Sequence, residues 1–323
     1  MEKTISKNIF YASVFIFILA GCVQKPLKIN TRHTNPNLEK NESLVTSKTP
    51  DLVEIKNIAE EEKNSNQAST PQQSTSLEPN STNVANKQIQ RFGFIFSGGG
   101  AKAWAHIGVL KELQKMKWPI QAVAGFEWGS VVAAVYAENL SVNEVEWEMS
   151  KLKDFDKTNE FVKSAFDKKN TADMKIPFVC PSLNLNKQTY YLLNRGLLDQ
   201  LIPFCIPQPP LVEPHAQSVA VMSDVSNLAQ HLRSTGVQKV ILVNVLAQKK
   251  PRSFVNDYKS AENILWVQSA ALMVKKPAGV DEVIQINLDD YGIKDIDRRR
   301  DLVVKGSELS YDQIKLLAKK YGL

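Results

Sequence analysis

Apolar and polar positions divide the chain into two regimes. From Val23 to Gln88 there is no Phe, Trp, Tyr, Gly or Cys, and Asn, Ser, Thr, Gln, Glu, Lys and Pro dominate. Beyond residue 89 apolar residues recur in short, patterned runs. Phe92-Gly-Phe-Ile-Phe96 is one such run and stops at Gly98-Gly99-Gly100, which predicts a buried strand entering a glycine loop. Trp104, Ile107, Val109, Leu110 and Leu113 then follow helical spacing, predicting a helix over Ala101 to Lys117. The pattern repeats: Ile120 to Ala124 reads as a strand, Gly125-Phe-Glu-Trp-Gly129 as a tight turn, and Ser130 to Ala137 as a helix. Ser141 to Phe166 is amphipathic and predicts helices that cover one side of a sheet, with Trp147, Phe155 and Phe161 as core aromatics.

Further along, Lys175 to Asn186 reads as a strand and turn, and Tyr190 to Gly196 as a strand ending at a glycine. Leu197 to Ile206 reads as a helix stopped by Pro207, Pro209 and Pro210. A helix over Asn227 to Ser234 ends at Gly236, and the β-branched run Val237 to Val245 is a central strand. Val280 to Leu288 is the last strand and Arg300 to Tyr321 the closing helix. Strand and helix in alternation argue for a three-layer α/β/α domain over residues 89–323, with a mostly parallel sheet.

The N-terminal segment stands apart from this fold. Lys3 and Lys7 precede the apolar stretch Ile9 to Ala20, and Leu19-Ala-Gly-Cys22 follows. The stretch is shorter than the ~20 residues of a membrane span. It resembles a bacterial lipoprotein signal covering residues 1–21, which implies a lipidated Cys22 anchoring the chain to a membrane. Val23 and Gln24 lack the Asp that retains some lipoproteins at the inner membrane, so the resemblance points to the outer membrane of a bacterial envelope. Residues 22–88 are expected to be a disordered linker, because so little apolar surface cannot offset the entropy of ordering. As a flexible coil they would reach roughly 45 Å.

Composition changes this picture little. The 323 residues carry a net charge of +6, scattered except at Arg298-Arg299-Arg300, which gives no support to a nucleic-acid partner. Apart from Cys22 the cysteines are Cys180 and Cys205, which either pair or stay free and buried. No His/Cys cluster has metal-ligand spacing, so neither metal nor other cofactor is expected.

The candidate chemistry sits in the two turns. Backbone N–H groups of a glycine loop at a helix start can hold an anion, which marks Gly98, Gly99, Gly100, Ala101 and Lys102 as an oxyanion loop. Gly125 and Gly129 have the glycine spacing of G-x-S-x-G, whose central residue stands on a strained strand-to-helix bend. Here that residue is Glu127.

Ser97-Gly-Gly-Gly-Ala-Lys102, His106-Ile-Gly-Val-Leu110, Val123-Ala-Gly125 and Gly129 together resemble the patatin-like phospholipase family, over about residues 91 to 323. The resemblance implies an α/β acyl hydrolase with a Ser-Asp dyad. The family's loop ends in a glycine where this chain has Ala103. The acid of the family's dyad lies in an Asp-Gly motif, and no Asp-Gly occurs in this chain. Counting back from Gly236 puts its place near Ala220, with Asp224 the nearest carboxylate and Asn184 and Asn194 unable to take a proton. Glu127 is thus either a non-catalytic residue that keeps the elbow or a carboxylate acting as nucleophile or base. An exposed glutamate beside N–H donors would have a lowered pKa, or would fold back into the oxyanion site.

Other candidates have structural readings. Ser130 caps or packs, Ser97 bonds backbone, and His106 is a satisfied, partly buried histidine. His215 and His231 lack a serine elbow to pair with, and His33 lies in the linker. The expected function is a membrane-anchored, catalytically degenerate lipoprotein that binds lipid or acyl groups or acts as a scaffold. The alternative is an active lipid acyl hydrolase, a phospholipase or esterase, rewired through Glu127 with Asp224 or a histidine. A purely structural envelope protein is the third reading, if Phe126, Trp128 and Trp104 fill the pocket.

Overall fold

The computed structural model describes residues 53–54, 90–247 and 261–323. The expected signal segment, Cys22 and most of the linker lie outside the described residues. In chain order the strands are β1 (Val53–Glu54), β2 (Phe92–Phe96), β3 (Ile120–Gly125), β4 (Phe178–Asn184), β5 (Thr189–Leu193), β6 (Ser218–Ala220), β7 (Lys239–Ala247) and β8 (Glu282–Asn287). The helices are α1 (Ala105–Lys115), α2 (Trp128–Asn139), α3 (Val142–Ser150), α4 (Thr158–Phe166), α5 (Leu198–Leu201), α6 (Val225–Ser234), α7 (Ala261–Leu272) and α8 (Arg299–Tyr321).

The sheet runs β1-β5-β4-β3-β2-β7-β8, with β6 paired to β4. Pairs β4–β3, β3–β2, β2–β7 and β7–β8 are parallel, while β4–β5, β4–β6 and β1–β5 are antiparallel. The sheet is therefore mostly parallel, as the strand-helix alternation implies. Two residues of the expected linker join it: Val53 and Glu54 pair with Leu192 and Tyr191. An edge strand offers N–H and C=O groups that an extended segment can use, and these two residues use them.

Central β2 shows why both faces must be covered. Phe92 packs edge-on against Trp118 and against Tyr321 of α8, and Phe96 against His106 of α1. Gly93, on the opposite face, has Leu232 of α6 and Val237, which follows that helix, over it, so close that a Cβ would lie 3.0 Å from Val237 Cγ1. All five residues of β2 are buried, and burying each phenylalanine contributes about 2 to 3 kcal/mol. One helical layer is thus α1 with α8 and the other includes α6.

Helices α1 and α8 cross at glycines. A Cβ on Gly306 would lie 2.0 Å from Ala105 O, and one on Gly108 would lie 2.1 Å from Val303 O. Only hydrogen fits there, so α8 grips the helix that follows the glycine loop. Two expectations need correction. The helix expected from Ala101 begins as a 3₁₀ turn over Gly100–Trp104 and becomes α-helical only at Ala105. Trp147 is 63% exposed rather than core, because it sits on the outer side of α3 while Val145 and Met149 turn inward. Among the described residues no helix is long and apolar enough to cross a membrane.

Candidate functional site

Strand β3 ends at Gly125 and α2 starts at Trp128, so the chain reverses within two residues. Glu127 takes φ 48° and ψ −130° to make that bend. Such a backbone costs a non-glycine residue about 1 to 3 kcal/mol and persists only where the surroundings enforce it. The two glycines are the enforcement. A Cβ at Gly125 would lie 2.3 Å from Gly129 O, and one at Gly129 would lie 2.4 Å from both Phe96 O and Ser97 O. The bend is held further by hydrogen bonds. Glu127 N–H donates to Cys205 O at 3.0 Å, and Glu127 O accepts from the amide and hydroxyl of Ser130. Ser130 is therefore a packing and capping residue of the first turn of α2.

The side chain of Glu127 turns back onto the glycine loop. Its Oε2 accepts from Gly99 N–H at 2.9 Å and from Gly100 N–H at 3.1 Å. The next amide, Ala101, donates to Ile293 O at 2.7 Å, and that of Lys102 donates to Gly99 O at 3.1 Å. Four consecutive donors of the expected oxyanion loop are thus engaged inside the protein. Gly99 at φ 157° and Gly100 at φ 56° curve the loop to aim them. Gly100 also has Ile293 O so close that a Cβ would lie 2.3 Å from it. Lys102 is buried and donates to Leu288 O at 2.9 Å. Burial brings its pKa down to about 8, against the attraction of Asp289 and Asp295.

The expectation of an exposed Glu127 with a lowered pKa is overturned. The residue is 0% exposed, and burial raises its carboxyl to about 7 although the N–H groups of Gly99, Trp128 and Gly100 pull the other way. Desolvation outweighs the donors because the carboxyl group is fully buried and its Oε1 accepts no hydrogen bond within the protein.

Ala220 lies on β6 opposite Ser182 and uses its amide on Pro207 O. The side chain beside the loop belongs to Met222. Its Sδ would lie 2.6 Å from a Cβ on Gly98, a point 3.2 Å from Glu127 Oε2. Asp224 sits at the N-cap position of α6. Burial raises its carboxyl while Asn227 opposes, and no hydrogen bond joins it to Glu127 among the described residues.

The remaining candidates are structural in the geometry. Ser97 Oγ accepts from Val245 N–H. His106 is fully rather than partly buried, its Nε2 is 2.7 Å from Ser97 O, and burial brings its pKa down to about 4, so it is neutral and donates from Nε2. His231 lies beside Asn194, and His215 packs edge-on against Phe204. Trp104, Phe126 and Trp128 are all buried, and Trp128 packs on Trp104, Phe155 and Phe161. Cys180 and Cys205 form a disulfide, which ties the segment carrying the carbonyl under Glu127 to β4. Among the described residues no group of three or more His, Cys, Asp or Glu is placed to hold a metal ion.

A mostly parallel sheet between helices, a glycine loop that aims the Gly99 and Gly100 N–H groups at one point and a strained elbow beside it define the architecture of an acyl hydrolase. The patatin-like phospholipase family profile matches residues 94–260, and the chain belongs to that family. A mouse protein named patatin-like phospholipase domain-containing protein 6 is 26% identical over 200 residues, covering 53% of this chain and 15% of its own length. A Pyricularia oryzae protein named lysophospholipase NTE1 is 25% identical over 178 residues, covering 47% of this chain and 12% of its own length. A Coccidioides immitis protein of the same name is 42% identical over 50 residues, covering 16% of this chain and 3% of its own length. The chain thus matches only a small part of each of these relatives.

Proposed function

We propose that this is a catalytically degenerate patatin-like domain, held at a bacterial membrane through a lipidated Cys22 and the linker that follows, which binds lipid or serves as a scaffold without hydrolysing esters. The observation that carries the reading is the Glu127 carboxyl group on the Gly99 and Gly100 N–H groups. In an acyl hydrolase those donors stabilise the tetrahedral oxyanion, a contribution of about 3 to 4 kcal/mol per donor to the transition state. Here the elbow residue itself occupies them. No serine stands at the elbow, and no Asp-Gly motif supplies an acid to activate one. The outer membrane fits the residues after Cys22.

One observation favours the alternative of an active hydrolase. A carboxyl raised to about 7 is matched to proton transfer at neutral pH. Its complete burial and its engaged oxygen weigh against that role, because a base must reach the proton it abstracts. The test is hydrolysis of palmitoyl-lysophosphatidylcholine and short-chain esters by the full chain and by Glu127→Ala. The expected result is no turnover in either protein. Turnover in the native chain that vanishes in Glu127→Ala overturns the proposal and makes Glu127 catalytic.

A further inference from the structure

A groove of about 440 Å³ opens between α1, α3 and the start of α8. Its size lies within the range of small-molecule sites, about 300 to 1,000 Å³. Its described lining residues include none of the glycine loop from Gly98 to Lys102 and none of the elbow from Gly125 to Gly129, so it is a place apart from the site above. Trp104 and Trp147 give it indole walls. Trp104 is buried and its indole N–H has no hydrogen-bond partner within the protein, whereas Trp147 is 63% exposed. An indole face open to water on the wall of a groove is a surface on which a second ring can lie flat.

The charged lining is Lys153, Arg299 and Arg300 with Glu146. Glu146 Oε2 already pairs with Lys111 at 2.7 Å. Arg299 Nη1 donates to Ile296 O at 3.1 Å and Lys153 Nζ donates to Ser150 O, while among the described residues no carboxylate pairs with any of the three cations. The groove is therefore positive, and its guanidinium groups have N–H donors to spare for a carboxylate or phosphate. A bare anion would leave the indole unused and would face Glu146. The second oxygen of Glu146 and the side-chain amide of Asn143 instead offer acceptors and donors to hydroxyl groups. A flat ring face, hydroxyl groups and one negative charge occur together in an acidic sugar. We propose that this groove binds a sugar ring bearing a carboxylate or phosphate, with the ring on Trp147, the acidic group at Arg299 and Arg300, and hydroxyl groups at Asn143 and Glu146. The inference stands apart from the reading of the elbow, so ester turnover at Glu127, present or absent, leaves it unchanged.

The test is saturation-transfer NMR on the full chain with galacturonic acid and with glucose 6-phosphate, set against glucose, and with acetate and inorganic phosphate as competitors. Saturable transfer to the ring protons of an acidic sugar is expected, and the tighter of the two assigns the acidic group. Glucose should bind about tenfold more weakly or worse, because it lacks the group that the guanidinium groups hold. Arg300→Gln should weaken the acidic sugar about tenfold and leave glucose as in the native chain, whereas Trp147→Ala should weaken both. Both side chains are exposed, so the fold tolerates these changes. Lys315→Gln, which removes an exposed charge of α8 that does not line the groove, should bind as the native chain does. Absence of saturable transfer, glucose binding as tightly as the acidic sugars, displacement by equimolar acetate or phosphate, or native affinity in both Arg300→Gln and Trp147→Ala overturns the proposal.

Discussion

Replacing Glu127 by glutamine isolates the consequence of burying a carboxyl group in the oxyanion loop. In the folded chain its pKa is raised to about 7 from an ordinary 4.5. The folded state therefore holds this proton more tightly than the unfolded chain does. The associated stability is complete below about pH 4.5 and is lost as pH rises through about 7, at a slope near 1.4 kcal/mol per pH unit. The total comes to about 3 kcal/mol, undiminished by solvent because the residue is fully buried. Glutamine keeps an oxygen for the Gly99 and Gly100 amides and has no proton to lose in this range. It leaves an N–H₂ where Oε1 has no partner, a cost of about 1 to 3 kcal/mol that does not vary with pH.

Urea unfolding of the native chain and of Glu127→Gln between about pH 5 and pH 8 measures the difference directly. Native stability should fall relative to the variant by about 2 to 3 kcal/mol across that range. His106 runs in the opposite sense: burial depresses its pKa to about 4, so its contribution is lost as pH falls from about 6.5. It is present in both proteins and cancels in the difference. Curves that stay parallel from end to end would refute the dry, plugged loop, because a carboxylate with access to water would show no such slope.

Two further perturbations bear on what holds the elbow. Gly125→Ala puts a Cβ 2.3 Å from Gly129 O and 2.5 Å from Ser130 N, so it should lower unfolding free energy by about 3 kcal/mol or more. A loss below about 1 kcal/mol in urea titration would show that the bend relaxes freely. Reducing the Cys180–Cys205 disulfide, whose cysteines are 25 residues apart, should cost about 3 kcal/mol of stability. Amide exchange at Glu127 should quicken with it, since that N–H donates to Cys205 O. Unchanged exchange after reduction would separate the disulfide from the elbow.

Much of the fold is legible in the chain because burial on both sides of a parallel sheet demands near-continuous apolar runs, and β2 and β7, the latter interrupted by Asn244, are such runs. The elements that escape are those without that signature. Helix α7, Ala-Glu-Asn-Ile-Leu-Trp-Val-Gln-Ser-Ala-Ala-Leu, is apolar almost all round, so its period does not stand out. Strand β6 is three residues long and is made by pairing with β4. At the site, Gly125, Glu127 and Gly129 are readable because sterics alone require hydrogens two residues either side of the elbow. The charge state of Glu127 is of another kind. Local reading finds N–H donors beside a carboxylate and concludes that its pKa falls. The opposite outcome depends on carbonyls and side chains that arrive from distant parts of the chain, Cys205 under the elbow, Met222 beside Gly98 and Ile293 over the loop. Together they exclude water. Donors act on an anion one bond at a time, whereas desolvation acts on the whole charge, so once the loop is sealed three amides are too few to keep Glu127 ionised at the ordinary value.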